Sequence, residues 1–151
     1  MRISNEQYFI NLALLISKRS TCLHTQVGCV LVDSNNHILS TGYNGSPVGA
    51  INCCDINECQ SDRKIRGENL EHCVAVHAEA NAIIQCKNCF EIKACYCNYY
   101  PCGHCLKLLM NTSCRKIYYL DPYANLLNES VSFWEESRQG RTIKQLTICG
   151  D

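Results

Sequence analysis

Two short stretches carry residue types that could do chemistry together, His77-Ala78-Glu79 and Pro101-Cys102-Gly103-His104-Cys105. One imidazole and two thiolates are good ligands for Zn2+, and a catalytic zinc centre keeps its fourth position for water or substrate. Water held there becomes acidic enough to ionise near neutral pH. Glu79 is not needed as a ligand, so its expected role is to carry protons. Neither half of the pattern is specific alone, because 14 cysteines in 151 residues produce close pairs by chance. The order is specific, with a proline before the first cysteine and 25 positions from His77 to Cys102. A closed zinc site that only braced the fold would leave Glu79 without a role and would need a fourth ligand.

These residues need elements to position them. The pattern from His77 through Ala80, Ile83 and Ile84 is helical and ends near Cys86, and Cys102 opens another helix through Leu106, Leu109 and Met110. Both halves of the motif therefore stand at helix starts, where unpaired N–H groups and partial positive charge favour thiolates and offer donors to a carbonyl. Upstream, Ser4 and Gln7 fit a capping box, and Tyr8, Leu12, Leu15 and Ile16 recur at helical spacing over residues 5–18. Val27–Val32 and Ile38–Tyr43 read as strands joined by the turn Asp33-Ser34-Asn35-Asn36. Further strands are expected at 94–100, 116–120 and 142–148, with partial helix over 126–138 and Trp134 packing inward. An initial hairpin followed by alternating helices and strands gives an α/β layered domain around a mixed sheet, one domain spanning 1–151.

Two segments remain. The stretch 41–47 reads as a loop, and glycines 42, 45 and 49 would let backbone approach a ligand or simply make a tight turn. Residues 50–76 are irregular, with Cys53, Cys54, Cys59, His72 and Cys73 around a charged run at 62–68. A loop of that length is usually functional or tied down, and a metal would serve.

Formal charge is zero, which argues against phosphate-led binding of nucleic acid. The cysteine count would suit a secreted disulfide scaffold, but Glu6, Gln7 and Asn11 interrupt the first apolar run and Lys18-Arg19 follow it, unlike a secretory signal. No run reaches membrane-spanning length. A reducing, cytoplasmic compartment fits best. Cys29, Cys95, Cys97, Cys114 and Cys149 fall on apolar strands or near their ends and read as core, while His24 and His37 read as surface.

A histidine-x-glutamate followed by Pro-Cys-x-x-Cys is the recognised mark of zinc-dependent nucleobase deaminases. Together with Ser17-Lys18-Arg19-Ser20-Thr21-Cys22, Val27-Gly28, Thr41-Gly42-Tyr43-Asn44-Gly45-Ser46-Pro47, Asn52-Cys53-Cys54-Asp55 and His77-Ala78-Glu79-Ala80-Asn81-Ala82-Ile83, it makes the chain resemble the cytidine deaminase superfamily. Within it the resemblance is to the deoxycytidylate (dCMP) deaminases, including those of tailed phages, over nearly the whole length. Nucleoside deaminases of the superfamily usually carry cysteine where His77 stands.

The resemblance implies a three-layer domain with a central mixed five-stranded sheet flanked by helices. It implies zinc-dependent hydrolysis of dCMP to dUMP and ammonia, with zinc on His77, Cys102 and Cys105 and Glu79 moving protons. Asn44 and Tyr123 would contact the nucleotide, and the Ala78 N–H would bind the base carbonyl. It further implies a homo-oligomer, often a hexamer, regulated by dCTP with Mg2+ and by dTTP, with Gly42, Tyr43, Gly45 and Ser46 as the allosteric loop. A second, structural zinc is implied on Cys22 and Cys53, with Cys73 as a third candidate and His72 or Cys59 as the fourth. Tyr99-Tyr100 before Pro101 depart from the family pattern, and phosphate ligands are unmarked among Lys18, Arg19, Arg115 and Lys116. Alternatives are a deaminase that also accepts dCTP, a tRNA or single-stranded DNA deaminase, and a non-catalytic zinc module.

Overall fold

The structure, a computed structural model, describes residues 2–60, 73–122, 133–137 and 139–148. Helix α1 (Asn5–Ser17) starts at Ser4, whose Oγ accepts the Gln7 N–H at 3.1 Å. Only half of the expected capping box forms, since the Gln7 amide donates instead to the Thr147 carbonyl at 2.6 Å. The buried row also differs from expectation: Phe9, Ile10, Ala13 and Ser17 face inward, and Tyr8 and Leu15 are exposed. Apolar residues surround this helix, so the pattern does not mark which row meets the sheet. Sterics do: a Cβ at Gly28 would collide with the Ala13 carbonyl and Ser17 N, so α1 lies directly on the start of the first strand.

Strand β1 (Gly28–Val32) pairs antiparallel with β2 (Ile38–Tyr43) and, on its other side, with β3 (Ala94–Tyr99). β4 (Lys116–Asp121) and β5 (Thr142–Gln145) add in parallel, giving the order β2-β1-β3-β4-β5. Asp33 makes the β1–β2 turn by accepting the Asn35 and His37 N–H groups, and Asn36 takes a φ of 63°. Among the described residues between β2 and the first motif helix, Cys53–Ile56 forms the short helix α2, which ends at Asn57 with φ 52°.

Alternation along the strands divides two cores. Val30, Val32, Ala94 and Tyr96 pack with Phe9, Ile10 and Ala13 of α1 on one face. Cys29, Leu31, Cys95, Cys97 and Ile117 face Ala78 and Ala82 of α3 (Ala78–Gln85) and Leu106 and Leu109 of α4 (Gly103–Met110) on the other. This is the expected three-layer arrangement around a five-stranded mixed sheet. All five residues of β1 are buried, because it lies between helices on both faces. Trp134 is fully buried as expected, its indole N–H donating to the Thr142 carbonyl at 3.0 Å. The last strand is shorter than expected. His72, Tyr123, Cys149, the charged run at 62–68 and most of 126–138 lie outside the described residues. No helix among the described residues is long and apolar enough to cross a membrane.

Candidate active site

His77 is the N-cap of α3 and Cys102 the N-cap of α4, and neither side chain caps its own helix. The two side chains meet instead in one donor cluster. Cys102 Sγ lies 3.4 Å from His77 Nδ1, and Cys105 Sγ, one turn into α4, lies 3.5 Å from it. The three donor atoms all sit within 4.8 Å of one another. Tetrahedral zinc with Zn–S about 2.3 Å and Zn–N about 2.0–2.1 Å would separate sulfur and nitrogen by about 3.6 Å. Spacing and donor type both fit zinc. Glu79 is not one of the three donors. It is 4% exposed, with Oε2 3.5 Å from Cys105 Sγ.

The electrostatics follow from burial and mutual contact. Burial pushes the Glu79 carboxyl up to about 7, the Cys102 charge adds to the rise, and His77 opposes it. The hydrogen bond from Cys105 holds the Cys102 thiol well down, with His77 assisting. Cys105 is pushed up by that same pairing, by burial and by the Glu79 charge. One thiolate is easily formed and the second is resisted, so a divalent cation is the natural neutraliser of this cluster.

Strand β2 fixes the seat of α3. A Cβ on Gly42 would run into the Ala78 carbonyl and Ala82 N. Ser40 Oγ donates to the Ala82 carbonyl at 2.7 Å, and Asn81 Nδ2 donates to the Tyr43 carbonyl at 2.9 Å. One rung of antiparallel bridge joins Gly45 to Val76, directly before His77. On the other side, the Tyr100 N–H donates to the Asp121 carbonyl at 2.9 Å, and Pro101 is fully buried, fixing the entry to α4.

The sequence model for the cytidine and deoxycytidylate deaminase zinc-binding region matches residues 3–121. The chain belongs to this deaminase family. It is 38% identical over 121 residues to a probable deoxycytidylate deaminase of Caenorhabditis elegans, covering 79% of this chain and 58% of that one. It is 34% identical over 127 residues to ComE operon protein 2 of Bacillus subtilis, covering 81% and 62%. The chain thus spans about three-fifths of the length of these two relatives. A solved dCMP deaminase from cyanophage S-TIM5, in complex with dCMP and dUMP, superposes with a TM-score of 0.74 at 22% identity, over 97% of this chain and 99% of that one. At that identity the likeness establishes the shared fold.

The other residues singled out in this family member fall as follows. Asn44 is buried, and its side chain is engaged within the chain: Nδ2 donates to the Thr25 carbonyl, and Oδ1 accepts the Val27 N–H and the Ser20 hydroxyl. Gly42 and Tyr43 belong to β2 and not to a loop, and Gly42 meets helix backbone where a ligand was considered. Gly45 has its bridge to Val76 and lies against Thr21, and Gly49 makes a turn with φ 87°. Cys22, Cys53, Cys59 and Cys73 line one small cavity together with Ser46. No three of these four thiols close to within 4.8 Å.

Sequence reasoning passed over the latch made by Ser40 and Asn81, although Asn81 stood in view two residues after Glu79. It also passed over a second triad of donors, Cys29, Cys95 and Cys97, with Sγ separations of 3.5 Å and 3.7 Å along the chain of contacts. All three were expected in the core and lie there, fully buried. Burial holds Cys29 and Cys97 well up, as neutral thiols.

Proposed function

We propose that this chain hydrolyses dCMP to dUMP and ammonia with zinc at His77, Cys102 and Cys105. The observation that carries the reading is the buried Glu79 carboxyl against a zinc-compatible donor cluster built from two helix N-termini. Kinship with deoxycytidylate deaminases supports the substrate. When bound, zinc supplies the Lewis acidity that lowers the pKa of water towards neutrality. Glu79 takes a proton from the water that adds to C4 of the cytosine ring and delivers it to N3. Glu79 then carries the proton of the new C4 hydroxyl to the amine, the C4–N bond breaks as the C4 carbonyl forms, and ammonia departs. One water is consumed and one ammonia released, so Glu79 ends as it began. A carboxyl buried beside the donor cluster can both accept and give a proton, which this double duty requires. The Ala78 N–H, in the first turn of α3, is the proposed donor to the base carbonyl, and Tyr123 is proposed to stack on the nucleotide.

Asn44 holds the 20–27 loop through its carboxamide, and its proposed contact with the nucleotide requires one of those bonds to be shared. A second zinc is proposed on Cys22, Cys53, Cys73 and Cys59, supported by the one cavity they line. The thiols would draw together on metal binding. Control by dCTP with Mg2+ and by dTTP through Gly42, Tyr43, Gly45 and Ser46, assembly as a homo-oligomer such as a hexamer, and a cytoplasmic location complete the proposal.

The deciding experiment measures ammonia release from dCMP, dCTP, CMP, cytidine and a cytosine-containing oligonucleotide, alongside metal content. Turnover of dCMP with zinc bound is the expected result. Turnover of the oligonucleotide alone would overturn the substrate, and zinc without any turnover would overturn the reaction.

A further inference from the structure

We infer that Cys29, Cys95 and Cys97 form a three-sulfur cage that takes a trivalent thiophilic ion, supplied as arsenite. Period-two alternation puts Cys95 and Cys97 of β3 on one face of the sheet. The antiparallel register sets Cys29 of β1 opposite Cys97. There the sulfurs meet: Cys29 Sγ lies 3.5 Å from Cys95 Sγ, which lies 3.7 Å from Cys97 Sγ. All three are within 4.8 Å of one another. A buried cysteine by itself is ordinary and behaves as a small apolar residue. Cys114 in the same core is of that kind, its thiol donating to the Lys116 carbonyl at 3.4 Å. The triad differs because its thiols contact one another. With His77, Cys102 and Cys105 given to zinc, it is the donor group of three that remains among the described residues.

Coordination number, shape and charge select the ion. No fourth His, Cys, Asp or Glu atom joins the group among the described residues. All three cysteines are fully buried, which leaves no open side for water. Zinc, which takes four ligands, is poorly served there. With metal–sulfur bonds of about 2.3 Å, a flat three-coordinate ion would hold its sulfurs about 4.0 Å apart. The measured 3.5 Å and 3.7 Å are shorter, so the ion must stand above the sulfur plane, as a pyramidal centre with a lone pair does. Charge decides the rest. Three thiolates leave two negative charges on a monovalent complex, one on a divalent complex and none on a trivalent one. An uncompensated charge in an apolar core is costly. Glu79 adds to that cost, since burial above all, with the Glu79 charge among the lesser causes, pushes the Cys29 thiol up.

The reaction is a condensation. Arsenous acid, As(OH)3, gives up three As–O bonds and gains three As–S bonds, and each thiol proton leaves on a hydroxide as water. Arsenic stays trivalent throughout, so no oxidant or reductant enters, and neutral reactants give a neutral product. Thiolate is the attacking form. Cys95 supplies the first, its thiol held down by the hydrogen bonds of Cys29 and Cys97. The fold governs entry. β1 and β3 are interior strands with a packed core on each face, so loading waits on local opening of the sheet.

The test uses the zinc-loaded full chain in a phosphine reductant, which does not compete for arsenic as a dithiol would. After arsenite is added and the excess removed, plasma mass spectrometry reads arsenic per chain and X-ray absorption counts its sulfur neighbours. Wild type is expected to hold an arsenic on three sulfurs, loading slowly in buffer and faster in dilute urea. Cys95→Ala is expected to lose that three-sulfur signature and Cys114→Ala to keep it. Should Cys95→Ala fail to fold, hydrogen exchange on wild type decides. Amides of β1 and β3 should slow about tenfold with free arsenite at about ten times its dissociation constant. Protection centred instead on Cys53 and Cys59, an arsenic on only two sulfurs in wild type, or a three-sulfur arsenic kept in full by Cys95→Ala overturns the inference. Uptake of Cu(I) or Cd2+ by these sulfurs, with none of arsenite, would overturn the trivalent assignment. Turnover is read separately, so a chain inert toward dCMP that still binds arsenic in this way would refute the reaction and keep the cage.

Discussion

A carboxyl in the first turn of a helix is ordinarily exposed and ionised, whereas Glu79 is buried against sulfur and pushed up to about 7. Its removal should therefore separate proton transfer from metal binding. Glu79→Gln is expected to lower kcat by about 10²–10⁴-fold while zinc content, measured by atomic emission, stays that of wild type. The ligands should behave in the opposite manner. Cys102→Ser or His77→Ala is expected to lose the metal outright, with activity falling in proportion. Protons and zinc compete for the same two sulfurs, so in wild type the bound metal should fall as the pH is lowered, and recover when the pH is restored. Retention of zinc by Cys102→Ser would remove Cys102 from the centre. These residue types were plain in the sequence because their chemistry depends on identity and spacing, and His-x-Glu with Pro-Cys-x-x-Cys states both. What the spacing did not hold was the company each side chain keeps. The carboxamide of Asn44, for example, also serves backbone groups of the neighbouring loop, a relation between residues 17 to 19 positions apart.

At the scale of elements, the joint between β2 and α3 decides where His77 and Glu79 stand. Gly42→Ala places a methyl group against helix backbone that has no rotamer to yield. It is expected to cost about 1–3 kcal/mol in denaturant unfolding and to change the visible spectrum of the cobalt-substituted protein, which reports ligand geometry. Ser40→Ala, which deletes one buried hydrogen bond, should cost about 0.5–1.5 kcal/mol and leave that spectrum close to wild type. A silent Gly42→Ala would show that α3 is seated by other contacts. Strands over 28–43 were legible because β-branched residues flank the turn Asp33-Ser34-Asn35-Asn36, and the stretch 94–121 because apolar runs alternate with helical spacing. The buried row of α1 was not legible, since Phe9, Ile10 and Ala13 alternate with Tyr8, Leu12 and Leu15 and only the sheet distinguishes them. Gly42 was misread for a related reason: a glycine needed for close packing and one needed for a turn look alike until the neighbour is known.

Over the whole molecule, the sheet divides the load. One core joins α1 to the sheet and the other joins the two motif helices to it, and β1 belongs to both. Trp134 closes the second core far along the chain from the motif, so Trp134→Ala is expected to cost about 3–5 kcal/mol in urea unfolding without altering zinc affinity. A large loss of zinc affinity in that variant would mean the centre is softer than its surroundings imply. The bridge between Gly45 and Val76 has a consequence of another kind. It works as a clasp at the neck of a purse: chain leaves at residue 46, returns at 75, and the two sides of the opening are held by one rung of backbone. Whatever length or composition fills the purse, the distance from the tip of β2 to His77 is set at the clasp. A change of length within that segment is thus expected to leave the placement of His77 against β2 unaltered.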